Sequence, residues 1–473
     1  MKKASQDIFE PEMPVVPSDW VVLPFEQAAD VISDKGKRVK QGSYLLAGKV
    51  PVIDQGQDPV GGYTDDEDMA FDDELPVILF GDHTRSFKYV DKRFAVGAEG
   101  VKILRSRKGY VPKFFYYLLC SLQIPSRGYS RHFYFLRKFH LPLAPEEQQK
   151  RIVAEIEKQF SRLDEAVANL KRVKASLKRY KASVLKAAVE GKLTEDWRKQ
   201  HPNVEPASKL LERILFERRA KWSGRGKYKE PAKPDTSSLP SLPEKWMWAS
   251  VDQLTSHITS GSRDWTRYYG RGSGTFILAQ NVRLMRLDLS ERQTVDPPKS
   301  DAETVRTRVS IGDLLVTIVG AKTGEVCRIP MELVDHFVCQ SVALLRPLMA
   351  AFAKFMELYL ASPENGQAQW RHYIYGQGRP HLSFEQLKMT AIALPSLAEQ
   401  QEIVAEVERR LSVIEELEAA VQADLTRADR LRQAILQRAF SGRLLSEKGH
   451  VGFSDSHMPL LAAESVPPYG VQS

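Results

Sequence analysis

One stretch of this chain occurs twice in an unbroken register. Gln149-Lys150-Arg151-Ile152-Val153-Ala154-Glu155-Ile156-Glu157 falls on Gln400-Gln401-Glu402-Ile403-Val404-Ala405-Glu406-Val407-Glu408 at an offset of 251 positions. The same offset still matches Gly191-Lys192-Leu193 to Gly442-Arg443-Leu444. A register held without a gap over that distance marks an internal repeat. In the first copy Ile152, Ile156, Phe160, Leu163, Val167, Leu170, Val173, Leu177, Tyr180 and Val184 step by three or four. In the second, Ile403, Val407, Leu411, Ile414, Leu417, Val421, Leu425, Ala428, Leu431 and Ile435 do the same. A narrow apolar seam flanked by Lys, Arg and Glu is a coiled-coil pattern, so long helices are predicted over 146–189 and 398–440. About 44 residues at roughly 1.5 Å each make a rod near 65 Å, too long to hide its seam on one domain. The simplest partner for each helix is the other copy; a solitary amphipathic helix lying on its own domain is the alternative. Antiparallel pairing would put the preceding blocks at opposite ends of the rod, related by a pseudo-two-fold axis.

Each predicted helix is preceded by a block that reads as mixed sheet and helix. In the first, residues 17–140, runs at 44–54, 75–81 and 94–104 are rich in β-branched and apolar residues and are separated by Gly- and Asp-rich turns, so strands are expected there. Phe114, Phe115, Leu118 and Leu119 then sit at helical spacing within 111–122. The second block, 243–393, repeats the plan: Trp20, Phe25, Glu26, Gln27 and Ile32 match Trp246, Val251, Asp252, Gln253 and Ile258 at one offset. Strands are expected at 312–316 and 337–345, and a covering helix at 350–361. The fold class is α/β (α+β), one small fold used twice with unlike loops. Residues 1–16 form an N-terminal extension, and the long-helix segments are 141–193 and 394–444. Between the halves, 194–242 reads as a linker with a short amphipathic helix over 207–222, followed by a Gly-, Lys- and Pro-rich flexible tether. The tail, 445–473, has no period and is expected to be disordered.

Lys and Arg outnumber Asp and Glu by 68 to 60, a basic excess that favours an acidic partner such as nucleic acid. Cys120, Cys327 and Cys339 are the only thiols and lack the spacing of a zinc site or a disulfide framework, which fits a reducing cytoplasm. No stretch approaches the roughly 20 apolar residues of a membrane span. Catalytic patterns are missing as well. Asp296-Pro297-Pro298-Lys299 has Lys where an amino-group DNA methyltransferase needs an aromatic residue to stack on a flipped base, and no Gly-rich strand-to-helix turn precedes it; it reads as a surface turn. Gly270-Arg271-Gly272-Ser273-Gly274 lacks phosphate-loop spacing and reads as a hairpin or mobile loop. No metal ligand pair and no nucleotide-binding loop is found.

Polar loops supply the positive signals. After an apolar run, Gly81-Asp82-His83-Thr84-Arg85-Ser86-Phe87-Lys88 offers His83, Thr84, Arg85 and Lys88, and Tyr129, Arg131 and His132 follow. The second block crowds Arg263, Trp265, Arg267 and Tyr268 together, with Lys322 and then Tyr375, Gln377, Arg379 and His381 further on. Arg and Lys contact phosphates or guanine edges, Gln pairs with adenine, and aromatic groups stack or wedge, so these residues are DNA-binding candidates. Each alone reads more readily as a solvated loop side chain; the recurrence in both blocks makes the set more telling than its members.

Leu394-Pro395-Ser396-Leu397-Ala398-Glu399-Gln400-Gln401-Glu402-Ile403-Val404, its weaker twin over 141–153, Gly191-Lys192-Leu193-Thr194-Glu195-Asp196-Trp197-Arg198 and Phe80-Gly81-Asp82-His83-Thr84-Arg85 carry a family resemblance. The chain resembles the specificity subunit of type I restriction-modification enzymes over nearly its whole length. The first twin departs from the family pattern, with Ala144-Pro145-Glu146-Glu147 where the family usually has Pro-Leu-Ala-Glu. The resemblance implies two target recognition domains joined by two long helices in an antiparallel coiled coil, each domain reading half of a bipartite, asymmetric DNA site. It implies no catalysis by this chain and no cofactor in it. S-adenosylmethionine, ATP and Mg are expected on two modification subunits and two ATP-driven restriction subunits that dock on the helices. A coiled-coil scaffold that binds proteins and a solo DNA methyltransferase are the rival readings.

Overall fold

The computed structural model describes residues 9–97, 100–126, 128, 131–220, 222, 227–261, 264–374 and 380–445. Two compact units emerge: the chain up to Lys171 together with the part from Gln422, and the part from Arg172 to Val421. The long helices form where the seam puts them, Glu146–Val189 and Leu397–Phe440. Both unit boundaries fall inside these helices, so each unit holds the start of one helix and the end of the other.

Unit 1 runs Val21–Pro24 (β1), Phe25–Ala28 (α1), Ala29–Ile32 (β2), Val50–Ile53 (β3), Gly62–Thr64 (β4), Val77–Gly81 (β5), Phe87–Val90 (β6), Ala95–Val96 (β7), Val101–Ser106 (β8), Pro112–Ser121 (α2), Phe133–Leu136 (α3), His140–Leu143 (β9), and then the long helix (α4). A four-stranded sheet has the order β2-β8-β5-β6, a three-stranded one β4-β3-β7, and β1 pairs with β9. Strand β5 is buried on both faces. Ile78 and Phe80 point to one side, against Phe114, Phe115, Leu118 and Leu119 of α2; Val77 and Leu79 point to the other, against Phe94 and Val96.

In unit 2, Glu195–Gln200 (α5) and Ala207–Ala220 (α6) come first. Then follow Met247–Ser250 (β10), Val251–Leu254 (α7), Thr255–Ser260 (β11), Tyr269–Ile277 (β12), Val282–Arg283 (β13), Arg286–Leu287 (β14), Gln293–Val295 (β15), Ala302–Thr307 (α8), Leu314–Thr317 (β16), Val326–Arg328 (β17), His336–Val338 (β18) and Val342–Pro347 (β19). Ala350–Ala361 (α9), Gly366–Tyr373 (α10), Phe384–Met389 (α11) and Ala391–Leu394 (β20) lead into the second long helix (α12). Its sheets are β11-β19-β16-β17, β15-β12-β18 and β10-β20, with a small β13-β14 hairpin added. The order matches unit 1 strand for strand. Even a parallel strand pairing recurs, β3 with β7 and β12 with β18. One fold is therefore used twice.

Five expectations need correction. The run 94–104 is two strands, because β7 and β8 belong to different sheets. Residues 44–49 are not strand. The apolar run 337–345 is two strands, broken by the polar pair Gln340-Ser341, because β18 and β19 belong to different sheets. Gly270–Gly274 is not a free loop but lies inside β12, which bulges where Tyr269 and Gly274 both face Val295. The Pro-rich stretch after α6 is docked on unit 2: Ala232 N–H donates to Asp252 Oδ2 at 2.9 Å, and Arg218 donates to the Asp252 carbonyl at 2.7 Å. Helix α6 itself buries Leu210, Leu211 and Ile214. The N-terminal extension is partly held as well, with Phe9 set edge-on to Phe135 at 5.6 Å. The tail expected to be disordered lies, from residue 446 on, outside those described.

The two units are closed by the same device. In unit 1 the Trp20 indole N–H donates to Gln148 Oε1, in the first turn of α4, at 2.8 Å. In unit 2 Trp246 donates to Glu399 Oε2, in the first turn of α12, also at 2.8 Å. The other helix of each unit ends on a left-handed glycine, Gly442 (φ 74°) in unit 1 and Gly191 (φ 72°) in unit 2, as helix C-terminal turns of this kind require. A Cβ on Gly191 would lie 2.9 Å from the Trp246 ring, and one on Gly442 would strike Pro17, so neither position admits a side chain. Start and end run antiparallel: Ile152, Ile156 and Phe160 share a core with Ile435, Leu436, Ala439 and Phe440.

The next residue of the repeat shows where the copies differ. Buried Gln149 donates to the Gly109 and Ala144 carbonyls at 2.8 and 2.7 Å, and its Oε1 accepts the Val111 N–H at the start of α2 at 2.7 Å. Its counterpart Gln400 donates to the Pro395 carbonyl at 3.1 Å, while its Oε1 has no partner among the described residues. Gln149→Leu removes three hydrogen bonds to the backbone, one of them fully buried, and should destabilise unit 1 by about 3 kcal/mol, whereas Gln400→Leu should cost unit 2 about 1 kcal/mol. Amide hydrogen exchange read separately in the two units, under increasing denaturant, checks the contrast.

Candidate nucleic-acid interface

In unit 1 the loop after β5 is held to the strand β3 side by side-chain bonds. Thr84 Oγ1 donates to the Gln55 carbonyl at 2.6 Å, Ser86 Oγ donates to the same oxygen at 3.0 Å, and Gln55 Oε1 accepts the His83 N–H at 3.2 Å. Buried Asp82 ties the loop to the next candidate segment: its carbonyl accepts the His132 N–H at 2.9 Å, and its Oδ1 accepts the Phe133 N–H at 2.7 Å. His132 is 1% exposed, with Nδ1 2.8 Å from that carbonyl. Lys88 lies 3.7 Å from Asp54 and donates to the Asp58 carbonyl; burial holds its pKa below the usual lysine value, partly offset by Asp54. Thr84, Lys88 and His132 therefore build the loop and are not presented as readers. Arg85, in the left-handed region (φ 62°), donates to the Ile124 carbonyl at 2.9 Å and borders a cavity of about 510 Å³ with Gln123 and Gln433. Arg131 is exposed, and His83 is half-buried.

In unit 2 a short 3-10 turn, Asp264–Tyr268, carries the aromatic candidates. Trp265 is 1% exposed, stacked on Phe276 at 5.2 Å and edge-on to Phe337 at 5.5 Å. It is a core residue and cannot stack on a base. Its burial anchors the turn, so that Arg267 is exposed with its guanidinium 4.8 Å above the half-buried Tyr268 ring. Lys322, about half exposed, pairs with Glu325 at 3.2 Å. His381 is half-buried; its backbone bridges Val319, and it lines a cleft of about 430 Å³ with Ser260, Gln340, Ser341 and Ser383. Tyr129, Arg263, Tyr375, Gln377 and Arg379 lie outside the described residues.

The cleft adds Gln340, Ser260 and Ser341, which sequence reading passed over. A polar Gln-Ser pair interrupting an apolar run was the available signal, hidden by reading the run as one strand. In unit 1 the same place in the topology, between β7 and β8, brings Gly100 beside Gln55 and His83. Both units thus gather amide and imidazole side chains where the four-stranded and three-stranded sheets meet. Such groups donate to and accept from base edges, and Arg267 and Arg131 add cations for phosphate or guanine.

No group of three His, Cys, Asp or Glu side chains placed to hold a metal occurs among the described residues. Burial pushes the Cys327 thiol up to about 12. Asp296-Pro297-Pro298-Lys299 precedes α8 without regular structure. No helix among the described residues is long and apolar enough to cross a membrane.

Residues 305–427 match the family described as the type I restriction modification DNA specificity domain. The match spans the four-stranded sheet of unit 2 from β16 on, its covering helices and the first half of α12. The chain is 26% identical to the EcoKI specificity subunit of Escherichia coli strain K12 over 313 residues, 65% of this chain and 58% of that protein. It is also 26% identical to the EcoBI specificity subunit of Escherichia coli over 318 residues, 65% of this chain and 59% of that one. The match thus spans less than two thirds of the length of these relatives. A solved chain from a study of complex assembly and conformational transition of the type I R-M system superposes with a TM-score of 0.57 at 17% identity, over 91% of this chain and 99% of that one, and shares the fold. By sequence and by fold, the chain resembles the specificity subunits of type I restriction enzymes.

Because Trp265 belongs to the core, Trp265→Ala should lower the stability of unit 2 by about 3 to 5 kcal/mol. Denaturant unfolding followed by tryptophan fluorescence and amide exchange in unit 2 measures this. A variant of native stability would return Trp265 to the list of surface readers.

Proposed function

We propose that this chain is the DNA-recognition subunit of a type I restriction-modification complex. The observation that carries the reading is one frame, used twice with the same strand order, that gathers polar side chains at the same place in its topology on loops of unlike sequence. Two different half-sites need such an arrangement. The specificity-domain match in unit 2 and the resemblance to specificity subunits support it. Arg131, His83 and Arg85 would read one half of a bipartite site, and Arg267, Lys322, His381 and Gln340 the other. The chain would contribute recognition and no catalysis, with two modification and two restriction subunits docked on it. S-adenosylmethionine, ATP and Mg would belong to those partners.

Methylome sequencing of a host given this chain and its modification subunit is the direct test. A bipartite, asymmetric motif with a fixed unread spacer is expected; methylation without such a motif, or none, refutes the reading. Arg267→Ala should then relax one half of the motif only, at a cost of about 1 to 3 kcal/mol in discrimination. An equal loss for every sequence would make Arg267 a phosphate contact instead. Lengthening both helices by one heptad, about 10 Å, should widen the spacer by roughly three base pairs and leave both halves unchanged. Changed halves with an unchanged spacer would end the idea that the helices act as a ruler.

A further inference from the structure

The last part of α4 carries charge of one sign. Between Ala166 and Val189 there are seven Lys or Arg and no Asp or Glu. Within unit 2, Arg172, Lys174, Lys178 and Arg179 are exposed and Lys181 is half-buried, while Leu177 and Val184 between them form the seam. From Arg172 to Lys181 the stripe covers nearly three turns, about 14 Å of helix, with Lys174, Lys178 and Lys181 along one edge of the face turned from the seam and Arg172 and Arg179 along the other.

The repeat shows that the helix pair does not need this charge. At the 251-residue offset Leu170, Leu177, Tyr180 and Val184 fall on Val421, Ala428, Leu431 and Ile435, so the seam is kept. Arg172, Lys174 and Lys178 fall on Ala423, Leu425 and Asp429, while Arg179 and Lys181 fall on Arg430 and Arg432, so only two of the five cations are kept. Of those two, Arg432 pairs with Asp164 and lies 4.5 Å over the Phe160 ring, inside unit 1. A charge pattern that one copy keeps only in part is no requirement of coil formation. Nor does it suit two identical protein partners, which need like surfaces on both copies. A regular polyanion fits it: duplex DNA carries one charge per roughly 1.7 Å of its axis, and a row of cations on a rigid helix neutralises several phosphates without reading bases.

We propose that the Arg172–Lys181 stripe binds the phosphate backbone of the DNA segment that the recognition loops leave unread. The proposal rests on the recognition reading above and adds a sequence-independent anchor on one copy of the repeat. The helices are then a DNA contact as well as a spacer.

The test uses the chain in complex with its modification subunit and a duplex enriched from a random-sequence pool by the wild-type complex. The variant Lys174→Gln, Lys178→Gln, Arg179→Gln, Lys181→Gln keeps good helix formers at exposed positions. Its plot of log affinity against log salt should be shallower by about two to three and a half units, equally for duplexes with altered half-sites. Replacing the unread phosphates with methylphosphonates should weaken the wild type and leave the variant unchanged, and the four Lys or Arg interchanged with each other should keep the wild-type slope. An unchanged slope in the Gln variant overturns the proposal. So does loss of the modification subunit from the purified variant, which would make the stripe a protein-docking face. If the wild-type complex enriches no sequence, the recognition reading itself fails and the stripe proposal falls with it; selective enrichment with an unchanged slope sinks the stripe alone.

Discussion

Each unit depends on one hydrogen bond between an indole and the first turn of a long helix, half-buried in unit 1 and buried in unit 2. Trp20 with Gln148 and Trp246 with Glu399 fix where the helix leaves the sheet. The glycine that ends the opposite helix closes over the same Pro-to-Trp turn. A short, directional bond at the root of a 44-residue helix sets the direction of everything beyond it. The apolar seam supplies most of the burial, but a seam alone tolerates sliding by a turn; the indole bond and the side-chain-free glycine do not.

The closing bond also shows how one fold accommodates different chemistry. In unit 1 the acceptor is a neutral amide that is itself held by Asp19 at 2.6 Å. In unit 2 it is a carboxylate, 3% exposed, that also accepts from Thr194 at 2.7 Å and pairs with Arg198. Burying that charge requires the partners that α5 and its flanking turn bring, because an unpaired buried carboxylate is strongly destabilising. The docked segment between the repeats is thus part of the solution that unit 2 reaches.

Much of this architecture was legible because it is written in periodicity. The helix over 146–189 follows from its seam, and the covering helix over 350–361 follows from Phe352, Phe355, Met356 and Tyr359. Side-chain fate was far less legible. Trp265, Thr84, Lys88 and His132 have the chemistry of base readers, yet packing and backbone bonding use all four to shape loops. Composition cannot distinguish a residue that presents a loop from one that holds it in place, since both occur in the same polar stretch. Gln340 was missed for the opposite reason: an apolar run conceals the point where a chain leaves one sheet for another.

The split of each unit between distant parts of the chain bears on the order of synthesis. Every segment of unit 2, from Arg172 to Val421, is made before any of Gln422 onward. Unit 1 begins first but lacks Ile435, Leu436, Ala439 and Phe440 until the end of translation. Domains fold as they emerge from the ribosome, generally N-terminal first. Here that order is inverted: the second half is complete while the first still lacks the partner for the apolar seam at the start of α4. The nascent first half needs shielding for the whole time its successor is being made, so a pause or premature stop late in the message harms the earliest part of the protein.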